Sequence, residues 1–367
     1  MSQFSNFIIF ANILLAISSN VAAKNDCVIK EFDQVDKTLK RCTNIVVDSL
    51  VVPGGQQLLL RLTEGSTLAF RGTTKFGFAE WKGNLVVITG SNITVYGEKD
   101  SLLDGQGPLW WDGQGSWGNV TKPKFFRIKN TNNSIFYDIN IKNCPVGCTQ
   151  IELSENVTLR NFKIDLSEGD EGVAPENKFG HNTDGFGISK SQNILIEDAV
   201  VYNQDDCVVV NSGKHITARN LFCHGSHGLS ISVKGSVVED VLFENCTVTN
   251  SENGIHVKTR TDAGDGLIKN IVYKDITLLD CTMFGISVQQ NYQNLPHGQP
   301  QDGPPGNNIP IVNLKLSNVR GNVLDEAVPV FVLCAEEGCF DWKWEGVNMK
   351  GARSNNCTGF TPVGYNC

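Results

Sequence analysis

Asp184-Gly185-Phe186-Gly187-Ile188-Ser189, Asp206-Cys207-Val208-Val209-Val210-Asn211 and His227-Gly228-Leu229-Ser230-Ile231-Ser232 align on one another, each an acid or a histidine ahead of the same apolar pattern. The patterns start at 185, 207 and 228, a spacing of 22 and 21 residues. Such a period marks a solenoid in which each repeat contributes one rung. Gly254-Ile255-His256-Val257-Lys258 and Gly285-Ile286-Ser287-Val288-Gln289 continue the series. Stacked parallel strands lie about 4.8 Å apart, so residues twenty positions apart in the chain become neighbours.

Alternation within these strands sends Leu229, Ile231, Ile255 and Val257 into the bore and leaves Ser230, Ser232, His256 and Lys258 outside. Asp184, Asp206 and His227 fall in the turn before each strand, where the neighbouring glycines bend the chain and the side chains can face a cleft. A second recurring element is an Asn followed by alternating apolar residues and a short turn, as in Asn156-Val157-Thr158-Leu159, Asn193-Ile194-Leu195-Ile196 and Asn270-Ile271-Val272-Tyr273. Each coil therefore holds about three short strands. With 36 glycines, 19% charged residues and few helical patterns in 367 residues, the chain reads as one elongated all-β domain. A solenoid grows in one dimension and so avoids the size limit of a single compact core.

An apolar run from Phe7 to Ser18 followed by Val21-Ala22-Ala23 reads as a secretory leader over residues 1–23, ahead of a mature domain at 24–367. The run is too short to span a bilayer. All 12 cysteines follow it. In an oxidising compartment, their local spacing pairs Cys27 with Cys42, Cys144 with Cys148, Cys207 with Cys223, Cys334 with Cys339 and Cys357 with Cys367, leaving Cys246 and Cys281 for each other. Paired Cys-x-x-Cys knuckles are missing and only 6 histidines are present, so no metal or other cofactor is expected. Sequons at Asn92, Asn119, Asn132 and Asn156 agree with export to an extracellular location. A net charge of −8 argues against nucleic acid and requires any polyanionic partner to be held by local cations.

Asp205 and Asp206 are adjacent acids, with Asp184 one rung away. Carboxylates so close cannot all ionise freely, so one pKa should rise toward the range of a general acid. The segments Leu166–Asn182 and Gln293–Asn308 interrupt the repeat with Gly, Pro and charged residues, and read as loops rimming a cleft. Cys27 to about Leu68 reads as a cap on one end of the solenoid, and Cys334–Cys367 as a cap on the other.

The chain resembles the polygalacturonase family, glycoside hydrolase family 28. The residues that carry the resemblance are Asn182-Thr183-Asp184-Gly185, Gln204-Asp205-Asp206-Cys207, Ser226-His227-Gly228 and His256-Val257-Lys258, with Asp104-Gly105-Gln106-Gly107 and Gln289-Gln290-Asn291-Tyr292 also similar. The resemblance implies a right-handed parallel β-helix with disulfide-stapled ends. It also implies an enzyme that hydrolyses α-1,4-galacturonosyl bonds of pectin with inversion, and the leader and cysteines point to a secreted protein, expected to be a monomer. By the same resemblance Asp205 protonates the glycosidic oxygen, Asp184 and Asp206 activate water, and His227 tunes the acid. Lys258, His256, Tyr292 and Asn182 would contact the sugar.

Three positions depart from the family pattern. His256 stands where the family has Arg, Ser226 where it has the first Gly of Gly-His-Gly, and Gly187 where it has Asp. Losing arginine's two-pronged grip on a carboxylate opens two alternatives, a catalytically impaired pectin-binding protein or a hydrolase with a shifted pectic substrate. A protonated His256 would restore the lost charge at acidic pH.

Overall fold

The computed structural model describes residues 27–262, 264–295 and 303–367. The leader expected over 1–23 and part of the loop expected over Gln293–Asn308 lie outside these residues. The described chain winds as a right-handed parallel β-helix, and every strand pair in it is parallel. Three strands make each central coil, for example Phe186–Ser189, Ser191–Glu197 and Val200–Tyr202, then Val208–Val210, Gly213–Arg219 and Phe222–His224.

The bore is a set of vertical apolar ladders. Phe186, Val208, Leu229, Ile255, Ile286 and Val330 stack in register along one wall. Val157, Ile194, Ile216, Val241, Ile271 and Leu314 stack along the second. Ile164, Val201, Cys223, Val248 and Leu278 form the third. All are buried, so each rung covers the apolar face of the last. A slip of one residue would turn a whole rung inside out, which is why the strict alternation fixes the register.

The recurring asparagines mark the corners between the first and second walls. Asn156, Asn193 and Asn270 adopt left-handed backbone (φ 54°, 53° and 57°), a conformation Asn tolerates better than other residues with a Cβ. Stacked corners place amide over amide: Asn193 Nδ2 donates to Asn156 Oδ1 and Asn156 Nδ2 to Asn133 Oδ1, both at 2.9 Å.

The ends are shorter as caps than the sequence suggested. Asn44–Asp48 already pairs in register with Thr67–Arg71, so the N-terminal cap is the segment before residue 44, including the short helix Val35–Leu39. At the other end Lys343–Glu345 and Asn348–Lys350 still pair with Ile311–Val323, and the stacked, buried Trp342 and Trp344 close the bore.

Five disulfides join the expected pairs. The sixth is absent: Cys246 and Cys281 are buried free thiols. The ladder explains it. The Cys246 carbonyl accepts the Thr277 amide on the next rung at 2.9 Å, so Cys281 lies four residues farther along the strand direction. At about 3.3 Å per residue that offset exceeds the ~7 Å Cα separation a disulfide can bridge.

Candidate active site

Asp184, Asp206 and His227 sit in the turns before Phe186–Ser189, Val208–Val210 and Leu229–Val233, as expected. The turns are tied to each other by backbone bonds: the Gly185 amide donates to the Asp206 carbonyl at 2.9 Å, Cys207 to Gly228 at 2.9 Å and His227 to Asp205 at 2.7 Å. Gly228 (φ 96°) is obligatory there, because a Cβ would lie 2.5 Å from the carbonyls of Asn253 and Gly254. Buried Asn203, which sequence reading passed over, donates through Nδ2 to the carbonyls of Thr183 (2.9 Å), Asp205 (2.9 Å) and Asp206 (3.1 Å). Gln204 ties the Leu166–Asn182 loop to the same turn, donating to the Leu166 carbonyl and to Asp170 Oδ1 at 2.8 Å each.

These turns line a cleft of about 1340 Å³ that also holds Lys124, Lys190, Lys234, Glu252, His256 and Tyr292. Asn294 and Leu295 border it, as expected for the start of the second interrupting loop. Asp205 accepts from its own neighbour's amide, Asp206 N at 2.6 Å, and from Asn182 Nδ2 at 2.9 Å. Asn182 Oδ1 in turn accepts from the Ser116 amide at 2.9 Å, so Asn182 orients an acid as well as bordering the cleft. Asp206 accepts from Ser230 Oγ at 2.5 Å and from Lys258 Nζ at 3.1 and 3.3 Å. Lys258 also lies 5.0 Å from the Tyr292 ring. The structure therefore holds Lys258 against an acid rather than leaving it free for substrate.

His227 bridges two carboxylates, with Nδ1 3.4 Å from Asp205 and Nε2 3.4 Å from Glu252. Glu252, an isolated acid in Ser251-Glu252-Asn253, carried no signal in the sequence. Burial opposes the imidazolium, but Glu252 and Asp205 outweigh it and raise His227 to about 10. Burial likewise opposes ionisation of Asp205, yet the His227 charge and hydrogen bond, with Lys258 and Asn182, hold it well below the usual carboxylate range. Burial and the charges of Asp205 and Asp206 push Asp184 well up. Burial also raises Asp206, with Lys258 partly offsetting it. A raised carboxyl was expected, but it is Asp184, and to a lesser degree Asp206, not the Asp205 that the resemblance casts as the acid.

His256 points out of the bore as expected, yet it is covered, with 5% of its surface exposed. Gln289 Nε2 lies 3.0 Å from its Nε2, Asn253 Nδ2 3.4 Å from its Nδ1, and the Tyr292 ring meets it edge-on at 5.9 Å. Burial and the charges of Lys258 and His227 hold His256 well below its ordinary value. The expectation that an imidazolium replaces the family's arginine is therefore corrected: burial and the nearby cations disfavour the second proton, and no carboxylate faces either ring nitrogen to favour it.

The other two departures are absorbed locally. At Gly187 an added Cβ would lie 2.6 Å from Gln150 Nε2, so Gln150 fills the space an aspartate would need. Ser226 Oγ lies 2.9 Å from Ser251 Oγ and accepts the Gly228 amide at 3.1 Å, making the hydroxyl part of the stack.

Asp205, Asp206 and His227 bring ligand atoms within 4.8 Å of one another, the spacing of a possible metal site. Lys258 and the His227 imidazolium already neutralise that group, so its donor set suits proton transfer better than cation binding.

Two buried carboxyls and a partly buried one, with pKa values pushed in opposite directions beside a histidine raised by its carboxylates, line a long cleft and form an acid/base site of the glycosidase kind on a parallel β-helix. The chain belongs to Glycosyl hydrolases family 28, whose profile matches residues 42–367, and is a polygalacturonase-type glycoside hydrolase. It is 42% identical over 360 residues to a polygalacturonase of Phaedon cochleariae, covering 95% of each chain. It is 38% identical over 357 residues to endopolygalacturonase I of Aspergillus niger, covering 96% of this chain and 94% of that one. Among solved structures, endopolygalacturonase I from Stereum purpureum, complexed with two galacturonates, superposes with a TM-score of 0.80 at 27% identity over 90% of this chain and 96% of that chain. The endo-xylogalacturonan hydrolase from Aspergillus tubingensis shares the fold with a TM-score of 0.72 at 19% identity, over 93% of this chain and 98% of that chain.

Proposed function

We propose that this protein is a secreted, monomeric hydrolase of α-1,4-galacturonosyl bonds in the homogalacturonan of pectin. The observation that carries the reading is the Asp184–Asp205–Asp206 triad with His227, set in a cleft where Lys124, Lys190 and Lys234 have no carboxylate within ion-pair distance among the described residues. Those lysines supply local cations for a polyanion on a chain of net charge −8. Five disulfides suit an extracellular location. No described helix is long and apolar enough to cross a membrane.

Asp205 protonates the leaving oxygen, while Asp184 and Asp206 orient and deprotonate the attacking water. In the unliganded site burial and the neighbouring carboxylates raise Asp184, while the His227 charge holds Asp205 low, so the site's proton is favoured on Asp184 over Asp205. Delivery through Asp205 thus has the triad titrating as one unit, its proton moving when the sugar displaces water from the cleft. Inversion is the proposed outcome. Retention is favoured by one observation: oxygens of Asp205 and Asp206 approach within 4.8 Å, closer than the ~6.5–9.5 Å between the two carboxyls of an inverting pair.

A reducing-end assay on de-esterified homogalacturonan, run beside a binding assay on the same polymer, tests the activity. Release of reducing ends supports hydrolysis, and saturable binding without release supports the impaired, pectin-binding alternative. The anomer first seen by proton NMR separates inversion from retention.

A further inference from the structure

The cleft floor changes character along its length. Lys124 stands on a rung N-terminal to the triad and Lys190 at the far end of the strand that follows Asp184, and neither has a carboxylate within ion-pair distance among the described residues. Around His256, on the rung after Ser230, three of the four cations are already matched, the exception being Lys234, which stands at the end of the preceding rung's strand, level with Arg260. Lys258 is bound to Asp206, Arg260 is held by Asp262 at 2.7 and 2.5 Å, and His227 lies between Asp205 and Glu252. His256 itself faces two amide nitrogens; the neutral ring, with one bare nitrogen, can accept from one of them, whereas an imidazolium, a donor at both nitrogens, can accept from neither. The walls of this pocket are therefore polar and uncharged.

Beyond His256 the floor turns apolar. Ser287 follows in register, then Phe331, whose ring lies 4.9 Å from that of Phe284. Met283 borders the same end of the cleft and is 46% exposed. Asn253 Oδ1 is buried there without a hydrogen-bond partner. An ionised carboxylate entering this pocket would lose its water without meeting a free cation beside His256, since Lys234 stands level with Arg260 rather than with His256, a cost an uncharged group avoids. An ester can accept from the Gln289 amide, and a methyl group finds apolar surface at Phe331 and Met283.

We propose that the His256 pocket takes a galacturonosyl residue whose carboxyl is methyl-esterified, while the lysine-bearing side of the cleft takes ionised residues. This rests on the galacturonan-hydrolase reading above and names the substrate form that site selects. The enzyme would then work on partly esterified pectin, cutting beside an ester.

The test uses homogalacturonan prepared fully de-esterified, sparsely methyl-esterified and densely methyl-esterified. For the natural protein, kcat/KM on the sparsely esterified polymer should equal or exceed that on the de-esterified one. In His256→Arg, the ratio of esterified to de-esterified kcat/KM should fall about tenfold, the size of one charge-assisted contact. Because so close a pocket leaves little room for arginine, mass spectrometry of oligomers released by the natural protein provides a second measure. Methyl esters should be enriched on the sugar at one of the two new chain ends and depleted at the other. Esters depleted equally at both ends, or cleavage confined to the de-esterified polymer, would overturn the inference alone. Absence of cleavage on all three polymers would instead overturn the hydrolase reading on which it rests.

Discussion

Two imidazoles flank the same cleft, and burial leaves one charged and the other neutral. His227 has a carboxylate at each ring nitrogen, 3.4 Å from Asp205 and 3.4 Å from Glu252, and is raised to about 10. His256, on the next rung, has an amide nitrogen at each ring nitrogen and the cations Lys258 and His227 nearby, and is held well below its ordinary value. Desolvation acts against the charged form of both, so depth does not distinguish them. The facing groups do. Along one wall of a solenoid, rungs about 4.8 Å apart can therefore carry opposite electrostatics, with an acid/base centre beside a neutral pocket.

The largest expected difference between the two is catalytic. Asp205→Asn keeps the shape of the triad but cannot move a proton, and should lower kcat on de-esterified homogalacturonan by about a thousandfold or more. His256→Gln exchanges one neutral polar side chain for another and should lower it by no more than about tenfold. Steady-state rates on the same polymer compare them, and losses of equal size would erase the distinction between the centre and the pocket.

Much of this arrangement was legible in the sequence, because a solenoid converts period into proximity. The 22- and 21-residue spacing of Asp184, Asp206 and His227 was enough to bring them together, and alternation placed Leu229 and Ile255 in the bore. What period cannot supply is the offset along a strand or the cover over it. Cys246 and Cys281 looked like a pair by elimination, but their positions on neighbouring rungs differ by several residues. His256 looked solvated because it faces outward, yet side chains from its own and the next rung, Asn253, Gln289 and Tyr292, close over it. Glu252 lacked any pattern at all; only the fold sets it against His227. The left-handed Asn corners had a signal whose cause, a backbone conformation, became visible only in the coil.

Stability offers a smaller contrast. Lys258 and Asp206 are a buried ion pair, each side chain almost fully covered. Lys258→Met leaves the Asp206 carboxylate without its cation and should cost about 3 kcal/mol, as for other broken buried pairs. His256→Leu removes a ring whose hydrogen-bonding neighbours are amides alone, and should cost about 1 kcal/mol. Urea midpoints at neutral pH, taken with unchanged m-values, measure both. A Lys258→Met loss no larger than that of His256→Leu would mean the ion pair contributes little beyond what its desolvation removes.

The finest distinction is the sign of each histidine's pH dependence. His227 has a folded pKa raised to about 10 against ~6.5 in the unfolded chain, so the folded state binds the proton more tightly. Its contribution is fully present below pH ~6.5 and is lost as pH rises toward 10, with a slope of at most about 1.4 kcal/mol per pH unit. His256 has a folded pKa below that of the unfolded chain, so the unfolded state binds the proton instead. Its contribution therefore worsens as pH falls below ~6.5 and is flat above it. The groups that face the two rings, Asp205, Asp206, Glu252, Lys258 and Tyr292, must keep their charge states for these slopes to be read. Unfolding free energies of the natural protein, His227→Gln and His256→Gln at intervals between pH 5.5 and 9 supply the two difference curves. The His227 curve should shrink with rising pH above ~6.5, and the His256 curve should change only below it. Two curves of the same sign would show that the groups facing the rings do not set their charge.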